Sequence, residues 1–230
     1  MALTVFMLTA GPSCINAQKL KGDGNVVSQK RDVSGFTELE VSGIISMKLK
    51  QGKDEGVSVT TDSNLQDHII TKVSGNTLKV YTKEDINDIT ELEVVVTAAD
   101  LKRIGISGAV KFETDGAFKS SMIELDCSGA SKVSAEFISQ TIEGDLSGGS
   151  KIELKGSTDL LELDVSGATS IKAFDLKANT CEMDISGAAK AEVYCNERLE
   201  ADISGAAKIV YKGNPEVEKS VSGVASIDAY

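Results

Sequence analysis

An acidic motif, Asp-x-Ser-Gly, recurs in the second half of this 230-residue chain at intervals of 18 to 20 residues. Its carboxylates belong to Asp126, Asp145, Asp164, Asp184 and Asp202, and a glutamate stands two residues before each, at positions 124, 143, 162, 182 and 200. Carboxylate oxygens are the hard ligands that calcium prefers. If the fold stacks the motifs, the five aspartates are candidate Ca²⁺ ligands, and Ca²⁺ is the one cofactor that the sequence suggests.

Two structural roles compete with calcium for the same aspartates. A lysine stands four residues after most of the motif serines, where it could reach back to the aspartate row, at Lys111, Lys132, Lys151, Lys190 and Lys208. An aspartate at a turn can also accept a backbone N–H. The Gly-Gly-x-Gly-x-Asp nonapeptide of calcium-loaded β-rolls is missing from the chain, so pairing with lysine and capping of turns are the favoured interpretation.

Residues for catalysis are scarce. His68 is the only histidine, it has no partner that the sequence identifies, and no catalytic triad or zinc cluster can be assembled from it. A calcium-assisted polysaccharide lyase would need an arginine or lysine base, and the three arginines are scattered at 31, 103 and 198. Sugar-binding platforms favour exposed Trp or Tyr, whereas this chain has no Trp and its four Tyr are dispersed. The sequence therefore predicts a protein that is not an enzyme.

The segments around the motif have the alternation of β-strands. In IELDCS at 123–128, apolar and polar residues alternate with a period of two, which predicts a strand with one buried face. An apolar residue five positions after most motif serines resumes the alternation, beginning with Val133. Cys127 and Cys181 occupy apolar positions of this pattern, so their thiols are predicted to be buried.

The spacing of the motif predicts how these strands are arranged. The serine of each Ser-Gly falls at 107, 128, 147, 166, 186, 204 and 222, which gives units of 18 to 21 residues without helical periodicity. Such units suit the coils of a parallel β-solenoid, or β-helix, in which equivalent residues stack about 4.8 Å apart. The predicted class is therefore all-β, with right-handed coiling.

The N-terminal half has strand patterns with a less regular spacing. We expect irregular β elements over 20–100, with a helical turn within 63–73, and regular coils over 101–230. Residues 2–10 form an apolar run too short to span a bilayer, which predicts a signal peptide over 1–17 and a single domain over 18–230. Lipidation of Cys14 is the alternative.

Charge and hydropathy restrict the partners and the location. The net charge is −11 with no basic cluster, which argues against nucleic acid as a partner. No segment after residue 17 has the length and hydropathy of a transmembrane helix. We expect an exported protein in the periplasm, on the outer-membrane surface or secreted.

Two N-terminal segments carry a family resemblance. FTELEVSGIISMKLKQG at 36–52 and VSVTTDSNLQDHIITKVSGNTLKVYT at 57–82 resemble the auto-transporter adhesin head GIN domain family, which is common in Bacteroidetes. The Ser-Gly-Ala units that follow are also similar to that family. The resemblance implies an exported β-helical domain, and it supplies no catalytic residue to transfer.

These observations favour a cell-surface adhesion or interaction module with an unknown protein or glycan surface as its partner. A polysaccharide-binding protein of the envelope is the first alternative, and a calcium-assisted polysaccharide lyase is the second. The last unit, VEKSVSGVASIDAY at 217–230, keeps Glu218 but has Ser220 in the place of the aspartate. This departure predicts an end cap or an edge for self-association, because an open solenoid end exposes unpaired strand groups.

Overall fold

The structure is a computed structural model that describes residues 20–84 and 86–230. The predicted signal peptide at 1–17 and Cys14 lie outside the described residues. Before residue 100 the elements are β1 Leu20–Lys21, β2 Val26–Arg31, β3 Glu38–Gly43, β4 Ser46–Gln51, β5 Gly56–Asp62, a 3₁₀ helix Ser63–His68, β6 Ile69–Ser74, β7 Thr77–Thr82, β8 Ile86–Asn87 and β9 Leu92–Ala98. After it they are β10 Arg103–Gly108, β11 Lys111–Lys119, β12 Met122–Gly129, β13 Lys132–Ile138, β14 Thr141–Leu146, β15 Lys151–Val165, β16 Ser170–Ile185, β17 Ala188–Ile203, β18 Ala206–Lys212, β19 Glu216–Val221 and β20 Val224–Ala229.

Strands that precede a Ser-Gly corner pair with one another and form what we call the acidic sheet. Its order is β6, β7, β3, β10, β12, β14, the second halves of β15, β16 and β17, and then β19. Only β6, at the first edge, is antiparallel to its neighbour. Each strand thus hydrogen-bonds to the equivalent strand of the next coil, as a solenoid requires.

Strands that follow a corner form the second sheet, which we call the lysine sheet. Its order is β2, β5, β9, β4, β11, β13, the first halves of β15, β16 and β17, β18 and β20. The pairs of β5 with β2 and β9 are antiparallel, and the later pairs are parallel. A solenoid of about seven turns over 103–229 follows a mixed N-terminal sheet. This confirms the predicted all-β parallel solenoid.

The N-terminal half extends the stack in an order that differs from the chain order. β3 and β4 pair with β10 and β11, so Ser42-Gly43 lies in register with Ser107-Gly108. β7 and β9 pair in turn with the other edges of β3 and β4. The spatial order of coils is therefore 77–98, 38–51 and then 103–119. Part of segment 20–100, which was expected to be irregular, therefore belongs to the same repeat. After β4 the chain forms the outermost coil, 77–98, and then returns to begin β10 on the other side of coil 38–51.

The core lies between the two sheets and is continuous along the stack. Inward side chains such as Ile123, Leu125 and Cys127 are 0–1 % exposed, as the alternation predicts. The buried apolar cluster extends from Phe36 to Ile209. Burial of each aliphatic side chain contributes about 1.5–3 kcal/mol to folding. The three cysteines of the described chain, at 127, 181 and 195, are buried and form no disulfide, which confirms the prediction for Cys127 and Cys181.

Each corner needs glycine, for one of two reasons. Gly108, Gly129 and Gly148 have φ between 92° and 107°, a region that favours glycine. At Gly167 and Gly187, φ lies outside that region, but an added Cβ would lie 2.1 Å from the carbonyl oxygen of the corner glycine one coil earlier. A positive φ therefore accounts for the glycine at the early corners, whereas close approach of backbones accounts for it at the later ones.

Asp62 fastens the N-terminal segment to the first coils. This buried carboxylate accepts hydrogen bonds from the backbone N–H of Gly24 (2.7 Å) and Thr90 (2.9 Å) and from the Thr90 hydroxyl (2.8 Å). Burial alone would raise the pKa of Asp62, but the hydrogen bonds from Thr90 and Gly24 lower it below its usual range. The adjacent Asn64, in the 3₁₀ helix, donates to the carbonyl oxygen of Lys21 (2.8 Å). The predicted helical turn is thus present and holds the start of the described chain.

The close stacking of the corners predicts that Gly187→Ala destabilises the solenoid. The new Cβ would meet the Gly167 carbonyl oxygen, and overpacking of this kind costs about 1–3 kcal/mol. Gly149→Ala is the matched control, because an added Cβ there has no atom within 4 Å. Thermal unfolding followed by circular dichroism checks this. Equal melting temperatures for the two variants would contradict the account of the corner.

Candidate interaction face

The five predicted aspartates lie in one row on the outward face of the acidic sheet. The register pairs Asp126 with Asp145, and continues through Asp164 and Asp184 to Asp202. The glutamates form a second row in the same register, from Glu124 through Glu143, Glu162, Glu182 and Glu200 to Glu218. Neighbouring carboxylates in each row belong to strands about 4.8 Å apart. The stacked acidic rows that the sequence predicts are therefore present.

Basic residues enter both rows on the N-terminal side, which the sequence analysis missed. Arg103 precedes Glu124 in the glutamate row, and in the aspartate row Asp126 is preceded by Gly105, Glu40 and Lys79. Arg103 and Gly105 stand four and two residues before Ser107, which are the positions of the Glu and Asp in later units. Alignment of the Ser107 unit with the later ones would have placed both residues in the rows.

Ion pairs compensate part of the charge at both ends of the glutamate row and at Asp126, the first residue of the acidic part of the aspartate row. Arg103 Nε and Nη2 donate to Asp126 Oδ2 at 2.8 and 2.5 Å, and Nε lies 3.6 Å from Glu124 Oε1. At the other end, Arg198 Nη2 lies 2.8 Å from Glu200 Oε2 and 3.1 Å from Glu218 Oε2. Hydrogen bonding to Asp126 raises the pKa of Arg103, and hydrogen bonding to Glu218 raises that of Arg198. Both guanidinium groups are therefore held by carboxylates.

The middle of the rows has no such compensation. Within 20–84 and 86–230, no ion pair involves Glu143, Glu162, Glu182, Asp145, Asp164, Asp184 or Asp202. Burial, followed by the negative charges of Glu162 and Glu124, raises the pKa of Glu143 above its usual value of 4.5. Like charges directly opposite one another destabilise a sheet. This part of the face therefore retains charge that opposes folding.

The prediction that lysines reach the aspartate row is wrong. The lysine row, from Lys111 to Lys208, lies on the outward face of the lysine sheet, since the Ser-Gly corner carries the chain from one sheet to the other. Lysines of that sheet pair with glutamates two residues away on their own strands, at 2.9 Å for Lys111–Glu113 and 2.8 Å for Lys190–Glu192. Three pairs of this kind, at Lys111–Glu113, Lys155–Glu153 and Lys190–Glu192, therefore compensate part of its charge within single strands.

Capping by the aspartates is also absent from the described corners. Among the hydrogen bonds of the described chain, none joins a backbone N–H to any of the five aspartates, and Asp126 accepts only from Arg103. Serine hydroxyls make the contacts at the corners instead, such as Ser131 Oγ to the Gly108 carbonyl oxygen at 3.2 Å. The fold therefore does not need the aspartates for its turns.

The proposed calcium ligands stay a prediction. The aspartate row has the hard oxygen atoms that Ca²⁺ prefers. In the part of the chain that the structure describes, however, no group of three or more His, Cys, Asp or Glu side chains is arranged to hold a metal ion. A cation at this face would therefore lie between two neighbouring carboxylates and complete its shell with water.

The remaining candidate catalytic residues have structural surroundings. His68 ends the 3₁₀ helix, with Nδ1 buried and 4.0 Å from Glu84 Oε2. Arg31 donates to the carbonyl oxygens of Gln66 (2.6 Å) and Ile69 and to the Thr71 hydroxyl (3.1 Å). These contacts tie β2 to the 3₁₀ helix and β6. No described helix is long and apolar enough to cross a membrane.

The comparisons with known proteins agree with this fold. Residues 35–215 match the family described as "Putative auto-transporter adhesin, head GIN domain". The chain belongs to this family. No curated protein matches the chain.

Several solved structures from Bacteroidetes are similar over nearly the whole chain. A putative adhesin from Bacteroides fragilis NCTC 9343 has a TM-score of 0.86 at 19 % identity, and one from Parabacteroides distasonis ATCC 8503 has 0.74 at 22 %; each comparison covers 92 % of this chain and 100 % of the other. A putative lipid binding protein from Parabacteroides distasonis ATCC 8503 has a TM-score of 0.73 at 27 % identity, and the comparison covers 93 % of this chain and 100 % of the other. The two adhesin matches establish the shared solenoid fold.

The uncompensated rows predict that Glu143→Gln raises the melting temperature at neutral pH and low salt by a few degrees at most. Because the pKa of Glu143 is raised in the folded state, its destabilising effect is present above that pKa and is relieved as the pH falls through it. The gain should therefore shrink in acid. Thermal unfolding of the wild type and the variant, from neutral pH to below the pKa of Glu143, measures this difference in melting temperature.

Glu153→Gln is the matched control on the lysine sheet. A hydrogen bond from Lys155 lowers the pKa of Glu153, so its stabilising effect is present at neutral pH and is lost as the pH falls through the lowered pKa. We expect this variant to lower the melting temperature at neutral pH. A change of the same sign in both variants would contradict the contrast between the two faces.

Proposed function

We propose that this protein is an exported, non-enzymatic β-solenoid that acts as a cell-surface adhesion or interaction module, with the outward face of the acidic sheet as its contact surface. One observation carries the proposal: seven neighbouring carboxylates on that face have no ion-pair partner in the described chain, although they destabilise the sheet. Residues that oppose folding and serve no turn are candidates for binding. The family name, adhesin, supports the same function.

The charge of this face favours a partner of complementary charge. An extended negative surface accelerates association with basic surfaces and repels acidic ones such as nucleic acids. The net charge of −11 adds to the same field. A basic region of a protein, or a glycan bound through its hydroxyl groups and cations, is the partner that fits. The regular spacing of the rows would allow such a partner to bind at several adjacent coils.

Export and domain organisation belong to the same proposal. A signal peptide over 1–17 would deliver a single domain over 18–230, with lipidation at Cys14 as the alternative. The apolar cluster that continues from Phe36 to Ile209 supports one folding unit over the described coils. An adhesion domain must reach the envelope or the exterior, which fits the family description.

The absence of an enzyme activity is likewise proposed. The names of the similar structures are those of adhesins and a lipid binding protein. A calcium-assisted lyase would require a free basic residue near the aspartate row, whereas Arg103 and Arg198 are both bound to carboxylates. Polysaccharide binding without cleavage remains the stronger of the two alternatives.

A binding screen against immobilised matrix proteins and glycans tests the contact surface. In one variant Asp164, Asp184 and Asp202 are replaced by asparagine, and in the control Glu113, Glu153 and Glu192 on the lysine sheet are replaced by glutamine. Both variants remove three negative charges. We expect the first to lose capture by about tenfold or more and the second to retain it. Equal losses, or no capture by the wild type, would contradict the proposal.

Calcium binding by the aspartate row is tested by thermal unfolding with millimolar Ca²⁺ and with chelator. A cation bound only by the folded protein raises the melting temperature, and the triple asparagine variant should abolish this rise. The same experiment with Mg²⁺ separates specific coordination from general screening. An unchanged melting temperature in Ca²⁺ would remove Asp126, Asp145, Asp164, Asp184 and Asp202 as calcium ligands.

A further inference from the structure

A notch interrupts the acidic face where Gly105 stands in the aspartate row. In register, Gly105 lies between Glu40 on β3 and Asp126 on β12. Gly105 borders a cavity of about 420 Å³, which is also lined by residues of β7, β3 and β12 and by Asp145 and Ser147. This volume falls within the range of about 300–1,000 Å³ that is usual for small-molecule sites.

Neither backbone conformation nor packing requires glycine at this position. Gly105 does not have a positive φ, and an added Cβ would lie 3.5 Å from Glu40 Cγ, which is an ordinary contact. Gly144 and Gly156, also within strands, differ: a Cβ at Gly144 would lie 2.7 Å from Leu163, and Gly156 has a φ of 108°. Glycine inside a strand weakens it and often marks the approach of a ligand. The fold therefore does not account for the open space at Gly105, whereas binding of a ligand would.

Two ion pairs form opposite walls of the notch. On one side Lys79 Nζ lies 2.8 Å from Glu40 Oε2, and on the other Arg103 donates to Asp126 at 2.8 Å. Between 29 % and 49 % of each of these four side chains is exposed, so they retain hydrogen-bonding capacity. The walls together offer donors and acceptors with no net charge. Because each charged group is held by its partner, the arrangement is organised before a ligand arrives.

Hydroxyl groups and one aromatic ring line a third side. Tyr81 opens the row that continues through Ser42, Ser107 and Ser128, and all four residues line the cavity. Serine hydroxyls both donate and accept hydrogen bonds, and tyrosine adds an apolar ring face. The four tyrosines are dispersed along the sequence, but the fold places one of them, Tyr81, in the lining of this cavity. Tyr81 and Gly105 line the same cavity, and Gly105 is the only strand-interior glycine in the described chain with both an ordinary φ and room for a side chain.

We infer that this notch binds a neutral hexose unit of a glycan. Adjacent hydroxyl groups of a hexose donate to carboxylates such as Glu40 and Asp126 and accept from Arg103 and Lys79, while the C–H face can cover Tyr81. An anionic sugar is disfavoured, since Asp145 lies at the border of the notch and the aspartate row continues beyond it. This inference goes beyond the proposed function, because the lining of the notch does not include Asp164, Asp184 or Asp202.

Saturation-transfer NMR and titration with methyl glycosides of glucose, galactose, mannose and N-acetylglucosamine test this inference. Gly105→Val places a branched side chain in the notch without a change of charge, and valine suits a strand. Ser220→Val is the matched control, because Ser220 is an exposed member of the same row in the last coil. We expect saturable binding of at least one glycoside by the wild type, a loss of about tenfold or more in affinity for Gly105→Val, and unchanged binding for Ser220→Val. Melting temperatures of both variants report whether folding is retained.

Three outcomes would overturn the inference: no neutral glycoside binds the wild type, Gly105→Val binds as the wild type does, or methyl glucuronide binds more tightly than every neutral glycoside. None of these affects capture that depends on Asp164, Asp184 and Asp202. If that capture persists while glycoside binding fails, the interaction surface stands and the sugar site falls. If that capture is lost while glycoside binding is retained, the sugar site stands and the interaction surface falls.

Discussion

The structure depends on the contact between successive Ser-Gly corners. At Gly187, Gly205 and Gly223 an added Cβ would lie 2.0–2.1 Å from the carbonyl oxygen of the corner glycine one coil earlier. Because the backbones approach this closely, each coil can pair with its neighbour in only one register. A slip by one residue would also turn every inward side chain outward. Corner contact and alternation together therefore select the same pairing, and that pairing aligns the outward side chains into rows.

The rows create an electrostatic cost that the fold distributes unevenly. On the lysine sheet, three lysines pair with glutamates of their own strands, as in the Lys155–Glu153 pair at 2.9 Å. On the acidic sheet, Arg103 and Arg198 pair with four carboxylates and leave seven others, Asp202 among them, without an ion pair in the described chain. Two sheets built from the same repeat thus have different electrostatics. This difference is the basis on which the acidic face is proposed as the contact surface.

Much of the architecture follows from the sequence because the repeat is local. The alternation in IELDCS and the return of Ser-Gly predict the strands, the corners and the acidic rows from residue 123 onward, all of which the structure contains. The positions of Lys79 and Glu40 did not follow, since their coils stack in an order that the chain does not have. The repeat also does not show to which sheet a residue belongs. It places Lys111 four residues after Ser107, but it does not show that the corner between them carries Lys111 onto the other sheet. The notch at Gly105 becomes visible only when the strands that begin at residues 38 and 122 lie on either side of the strand that begins at residue 103.

The central claim is that coils stacked in register carry an uncompensated row of carboxylates on one face. The salt dependence of wild-type stability tests it most directly, because added ions screen repulsion between exposed charges beyond about 10 Å at 0.1 M ionic strength. Thermal unfolding in increasing NaCl, at neutral pH and without divalent cations, should show a melting temperature that rises from low to moderate salt. A melting temperature that falls as salt is added would contradict the claim, since it would mean that attractive ion pairs outweigh the repulsion along the acidic rows.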